Sequence, residues 1–201
     1  GPEERLAGNV RVIFNGVVIA DKNLVKRPES KTPFILGFAG RIQFTKGVDT
    51  LIEWFDHARQ KGPDIKLIIR GEAAPDEMDY DAKCRQMVKD RRLEDHIIFE
   101  GQKRGLDKIF SGIHANVVSS IVPDPLPRSV MEACALGLPV LGYPAGGIPY
   151  MFEDGKSGFL VSDAESFTRA VKRLMEDDIL YSSVSKTAIE NARKNFAMNR
   201  L

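Results

Sequence analysis

Several things are scarce in this 201-residue chain, and each scarcity closes off a class of protein. No apolar run approaches the ~20 residues that cross a bilayer, and the opening residues do not read as a signal peptide. Only two cysteines are present, Cys84 and Cys134, in separate helical segments without CxxC or metal-ligand spacing. That excludes a disulfide framework and predicts a reducing, cytoplasmic compartment. The histidines His57, His96 and His114 have no partners at ligand spacing and read as structural. An excess of one charge is missing too: 29 Lys and Arg stand against 28 Asp and Glu, a net charge of +1. Such a balance supplies no field for nucleic acid or a membrane surface. The densest basic stretch, 89–92, contains Asp90 and ends a helical pattern, so it reads as a solvated helix end. Neither GxGxxG nor GxxxxGK[ST] follows the first strand, which weighs against a dinucleotide dehydrogenase and a P-loop NTPase.

What is present is a regular alternation, with 43% apolar residues, enough for the core of one sizeable domain. Apolar, β-rich runs at 34–40, 66–70, 97–99, 115–119, 139–143 and 158–161 read as strands. Helical periodicity occupies 48–61, 78–92, 105–113, 128–136, about 148–152, 163–177 and 181–197. Nearly continuous apolar strands alternating with helices predict an α/β fold, a doubly wound, Rossmann-like parallel sheet with helices on both faces. Residues 33–180 form the predicted domain and 181–201 its C-terminal helix. Residues 1–32 read as a tag scar (Gly1-Pro2, with no Met) followed by a short strand over 9–17 and a polar interdomain linker, as in an excised piece of a longer protein.

In such a sheet ligands bind beyond the carboxyl ends of the strands, and the chemically suggestive residues fall there. Arg41 and Lys46 follow the first strand within Gly40-Arg41-Ile42-Gln43-Phe44-Thr45-Lys46-Gly47. A planar fork and a point charge together suit diphosphate oxygens, although both also read locally as solvated loop cations. Gly40 is expected to permit a tight turn or a close backbone approach. Glu72 follows the second strand. Gly146-Gly147 follows the fifth, either as a plain turn or with amides facing a sugar or phosphate. Between them lies Pro123-Asp124-Pro125-Leu126-Pro127-Arg128-Ser129-Val130-Met131-Glu132, with two carboxylates eight positions apart across a proline-stiffened loop. Asp124 alone reads as a turn residue. Glu132, set nearly opposite an apolar arc of Val130, Met131, Cys134 and Leu138, reads alone as a solvated glutamate serving the helix dipole. Together, in this context, they suit a polyhydroxylated ligand.

These pieces, with Phe14-Asn15-Gly16-Val17, Phe99-Glu100-Gly101, Gly137-Leu138-Pro139-Val140, Gly146-Gly147-Ile148-Pro149 and 155–161, occur in an order that resembles one family. The chain resembles, over roughly residues 12–175, the C-terminal, nucleotide-sugar-binding domain of a GT-B, family 4 retaining glycosyltransferase. The resemblance implies one half of a GT-B fold and transfer of a sugar from a nucleotide-diphosphate sugar with retention, in polysaccharide or glycoconjugate biosynthesis. Arg41 and Lys46 match the cations on the donor diphosphate, Glu132 the glutamate on the ribose hydroxyls, and Asp124 the carboxylate that contacts the donor sugar. Glu100, Gly101 and Lys103 match the edge where the base is read. Backbone phosphate contacts are expected from Arg128, Ser129 and Val130, since Pro127 has no amide to donate. No cofactor besides the donor and no metal site is implied. The acceptor, whether sugar, lipid-linked or protein, belongs to an N-terminal domain for which nothing here corresponds, as does any membrane contact. The sequence departs from the family in having Asp124 for a longer Glu, Leu126-Pro127 where Phe-Gly is frequent, and Tyr150 where Glu is common. A catalytically silent sugar-nucleotide-binding module and another GT-B enzyme, such as a sugar-nucleotide epimerase, are the alternatives.

Overall fold

The computed structural model describes residues 16–17 and 25–197. The six apolar runs become six parallel strands: β1 (Phe34–Ala39), β2 (Ile65–Arg70), β3 (Ile97–Phe99), β4 (Ala115–Val118), β5 (Val140–Gly142) and β6 (Phe159–Leu160). They lie in the order β3-β2-β1-β4-β5-β6. Phe38 pairs with Ile69 on one side and Val117 on the other. The chain therefore winds outward from β1 through β2 and β3, then returns to start again at β4. That reversal opens a crevice between the carboxyl ends of β1 and β4, where an open α/β sheet binds its ligands.

Among the described residues seven α-helices follow: α1 (Val48–Gln60), α2 (Met78–Asp90), α3 (Leu106–Phe110), α4 (Arg128–Ala135), α5 (Ile148–Met151), α6 (Ala164–Glu176) and α7 (Asp178–Asn195). Alternation along β1 divides the core. Phe34, Leu36 and Phe38 join one cluster with Leu51 and Phe55 of α1, Cys84 of α2 and Phe167 of α6. Ile35 and Ala39 lie against the other, with Phe110 of α3, Val130 of α4, Ile148 of α5 and Ala188 of α7. Each fully buried Leu, Ile or Phe contributes about 1.5–3 kcal/mol relative to exposure. Both cysteines are buried free thiols, and burial pushes each up to about 12.

Helix ends follow their caps. The Asp163 side chain accepts the Ser166 amide while Ser166 reaches back, closing a capping box on α6. Asp177 accepts the Leu180 amide at 2.8 Å, which starts α7 at Asp178 rather than at the expected 181. The segment entering β1 is pinned. Arg27 donates to the carbonyls of Leu136 and Gly137 and to Ser185, and Lys31 pairs with Asp178 at 2.7 Å. The strand expected over 9–17 lies outside the described residues except for Gly16 and Val17, and Val17 bridges to Ala197. His114 stacks on Phe34 at 4.7 Å, its Nδ1 accepting the Ile35 amide and its Nε2 3.0 Å from the Ser30 carbonyl. That pair of contacts fixes the neutral tautomer protonated on Nε2. Among the described residues, no helix is long and apolar enough to cross a membrane.

Candidate functional site

The strand reversal creates a cleft of about 690 Å³ at the carboxyl edge. One wall is the loop after β1, carrying Gly40, Arg41 and Lys46; the other is the loop after β4 with the first turns of α4, carrying Asp124, Arg128, Ser129 and Glu132. Lys103 and Gln102 close one end.

On the first wall, a Cβ at Gly71 would lie 1.7 Å from the Gly40 carbonyl oxygen, whereas one at Gly40 would meet only the Phe38 ring, at 3.5 Å. The close approach expected of Gly40 therefore belongs to Gly71, which lets the end of β2 press against the loop. Arg41 is exposed and, among the described residues, has no hydrogen-bond or ion-pair partner. Lys46 is held at its root, where its carbonyl accepts the Ser119 hydroxyl at 2.9 Å. Its ammonium lies 2.6 Å from Asp124 Oδ2, so the pair spans the two walls.

On the second wall, Asp124 Oδ1 accepts the Leu126 amide at 3.2 Å and the Asp124 carbonyl accepts the Gly147 amide at 2.9 Å. A Cβ at Gly147 would lie 1.9 Å from the Pro125 carbonyl oxygen, and one at Gly146 2.4 Å from that of Asp124. The Gly146-Gly147 turn thus props the Asp124 loop from behind, with the Gly147 amide committed to it.

The N-terminus of α4 has Pro127 as its cap and no side-chain capping bond. The amides of Arg128 and Ser129 have no partner among the described residues, whereas that of Val130 donates to the Pro127 carbonyl at 3.1 Å. Val130 also buries its side chain completely, so it faces the core and does not line the cleft. Two open amides at a helix start favour an anion.

Glu132 is not the solvated glutamate it resembles when taken alone. Its neighbours Ala133 and Ala135 are buried as well as the expected arc, and its own side chain is only 14% exposed. Burial raises its carboxyl above the ordinary range; Arg128, whose guanidinium lies 3.0 Å away, opposes the rise. Because the Arg128 side chain is 81% exposed, the pair itself adds little stability.

At the closed end, Glu100 accepts Arg70 Nε at 3.0 Å and lies 3.6 Å from the Lys103 ammonium. Glu100 and Gly101 stand behind the cleft surface, whereas Lys103 is on it. Arg70, which sequence reasoning passed over, holds this end together by also donating to the carbonyls of Ile109 and Ser111. Its signal was a cation ending an otherwise apolar stretch, Leu67-Ile68-Ile69-Arg70. The structure thus gathers Gly40, Arg41, Lys46, Lys103, Asp124, Arg128, Ser129 and Glu132 around one cleft, and leaves Glu100, Gly101 and Val130 outside its lining.

A doubly wound α/β domain with its cleft at the strand reversal is the class that fold and site define. The chain belongs to the family "Glycosyl transferases group 1", whose profile matches residues 20–195, and it is a C-terminal-type domain of the GT-B fold. It is 26% identical over 175 residues to spore coat protein SA of Bacillus subtilis, covering 83% of this chain and 46% of that protein. It is also 26% identical over 195 residues to the lipopolysaccharide core biosynthesis glycosyltransferase LpsE of Rhizobium meliloti, covering 94% and 54%. The solved structure of Anabaena Alr3699/HepE in complex with UDP superposes with a TM-score of 0.82 at 26% identity, covering 93% of this chain and 53% of that one. The chain spans about half the length of the relatives it matches.

Proposed function

We propose that this domain binds the nucleotide-diphosphate sugar donor of a glycosyltransferase that retains anomeric configuration. The observation that carries the reading is an uncommitted guanidinium, Arg41, lining the same cleft as the open amides of Arg128 and Ser129. A diphosphate supplies the charge and the acceptor oxygens that this arrangement lacks. In the reaction Arg41 and Lys46 stabilise the negative charge that develops on the departing diphosphate. Glu132 accepts from the ribose hydroxyls, and Lys103 with Gln102 borders the base. The HepE structures support the reading, since they hold UDP, UDP with glucose, or UDP-glucose at related folds. No cofactor beyond the donor enters the proposal.

The remainder of the full-length protein then holds the acceptor, and its work is cytoplasmic assembly of a polysaccharide or glycoconjugate. Transfer needs donor and acceptor at near-attack distance, so the 201-residue chain alone binds donor without transferring it. A thermal-shift panel of UDP, GDP, dTDP, ADP and their sugars tests the binding: at least one diphosphate raises the melting temperature, and no shift with any of them refutes the donor site. The anomeric configuration of product made by the full-length protein tests retention.

A further inference from the structure

Arg70 ends β2 as a cation on an otherwise apolar stretch, and its side chain is only 8% exposed. Nε donates to Glu100 Oε2 at 3.0 Å, and Nη1 donates to the carbonyls of Ile109 at 2.9 Å and Ser111 at 2.7 Å. A guanidinium carries five N–H donors in a fixed fork, so the pair on Nη2 remains. Those donors have no partner among the described residues, yet Nη2 is not sealed from solvent. Arg70 lines the cleft together with Gly71, Lys103 and Ile109, so the open edge faces into it. The rest of the fork is held still by Glu100 and the end of α3. A buried donor left without an acceptor is an exception that calls for a ligand.

We infer that Arg70 is a specificity-determining residue, whose open Nη2 edge donates to a carbonyl oxygen of the donor's nucleobase and so turns away a base that has none. The inference rests on the donor-site reading above. Charge assigns the ligand group. At this end of the cleft Arg70 and Lys103 both pair with Glu100, and Glu72 stands beside them with Oε1 3.4 Å from the Gln102 amide. Two cations meet two carboxylates there. The uncommitted charge, Arg41, and the open amides of Arg128 and Ser129 lie on the two walls instead. A diphosphate settles between the walls, and a neutral base at the balanced end. Uracil, thymine and guanine carry ring carbonyl oxygens, whereas adenine has none and presents an amine on its edge. An amine against Nη2 sets donor against donor and leaves both unpaired, which is where a polar site discriminates most strongly.

Calorimetric titration of the 201-residue chain with UDP, dTDP, GDP and ADP tests it. The tightest of the first three should bind about tenfold more tightly than ADP, or better. Arg70→Lys keeps a charge beside Glu100 but lacks the planar fork. It should weaken that diphosphate and its nucleoside by the same factor, about tenfold, and leave ADP unchanged. A residue that merely ties Glu100 to α3 would weaken ADP equally. Should Arg70→Lys melt early, thiocarbonyl analogues put the question to the wild-type chain, because sulfur is the weaker acceptor. Among 2-thio-UDP, 4-thio-UDP and 6-thio-GDP, at least one analogue of the preferred base should bind several-fold less tightly than its oxygen parent. ADP binding as tightly as the others would overturn the inference while the donor site stands. So would an Arg70→Lys loss that ADP shares, a loss that spares the nucleoside, no loss at all, or thio analogues that match their parents. Wild-type chain that binds none of the four diphosphates would bring down the donor site itself and this inference with it.

Discussion

Across the cleft, the loop after β1 leaves the Arg41 guanidinium uncommitted, whereas Asp124, in the loop after β4, has both carboxylate oxygens and its carbonyl engaged. The first wall offers charge; the second offers restraint and, at the start of α4, two open amides. A ligand entering between them meets groups whose positions are set by backbone packing (Gly71 against Gly40, Gly147 against Pro125) rather than by side-chain contacts alone. Placement by packed backbone costs no reorganisation when charge arrives, which is the arrangement that favours electrostatic stabilisation.

The largest effects should come from breaking that packing. Gly71→Ala and Gly147→Ala each drive a Cβ into a carbonyl oxygen, and each should cost about 3 kcal/mol of stability in denaturant melts. Gly40→Ala, with its Cβ in ordinary contact, should cost less than about 0.5 kcal/mol. Equal losses at all three would erase the distinction between propped and unpropped positions.

Next comes the charge of the first wall. Arg41→Ala should lose about 1.5–3 kcal/mol of binding to UDP and nothing to uridine, since a charge-assisted bond to phosphate is what disappears. Calorimetry that shows parallel losses for both ligands would make Arg41 structural.

A smaller effect is expected on the helix of the second wall. Burial holds the Glu132 carboxyl above its ordinary value, so it gains a proton earlier than other glutamates as the pH falls. Ribose-dependent affinity should decline over that interval by up to about 1.5 kcal/mol. Glu132→Gln should flatten the dependence, and an unchanged profile would remove Glu132 from the ribose.

The smallest lies away from the cleft. Burial, with Lys31 and Arg27 adding to it, depresses the His114 imidazole, against the opposing bond from Nε2 to the Ser30 carbonyl. A depressed folded value means the unfolded chain binds a proton first. The contribution of His114 to stability is therefore full above the ordinary histidine pKa of 6.5, and it is lost as pH falls through the depressed value. His114→Gln should remove this acid-side slope from thermal melts.

The fold was almost wholly legible in the sequence, because nearly continuous apolar runs alternate with 3.6-period helices from Phe34 to Glu176, and a second helix, α7, follows directly on α6. The Asp177 cap explains the earlier start of α7. The cleft was legible as a set of strand ends, which topology fixes, but not as a set of contacts. That Lys46 pairs with Asp124 across the cleft, that the Gly147 amide bonds the Asp124 carbonyl, and that Arg70 binds one end together are facts of distance between segments apart in the chain. The glycines show the limit most clearly. Gly40 and Gly71 both follow strands, and only their packing tells which of them tolerates no side chain.

The central claim, that a diphosphate settles between Arg41 and the start of α4, is tested most directly by titrating UDP into isotopically labelled chain and following amide resonances. The account predicts that Arg128 and Ser129 shift most and saturate together at one equivalent, with Val130 moving less because its amide is already bonded. Saturation that leaves Arg128 and Ser129 in place while resonances elsewhere move would contradict it.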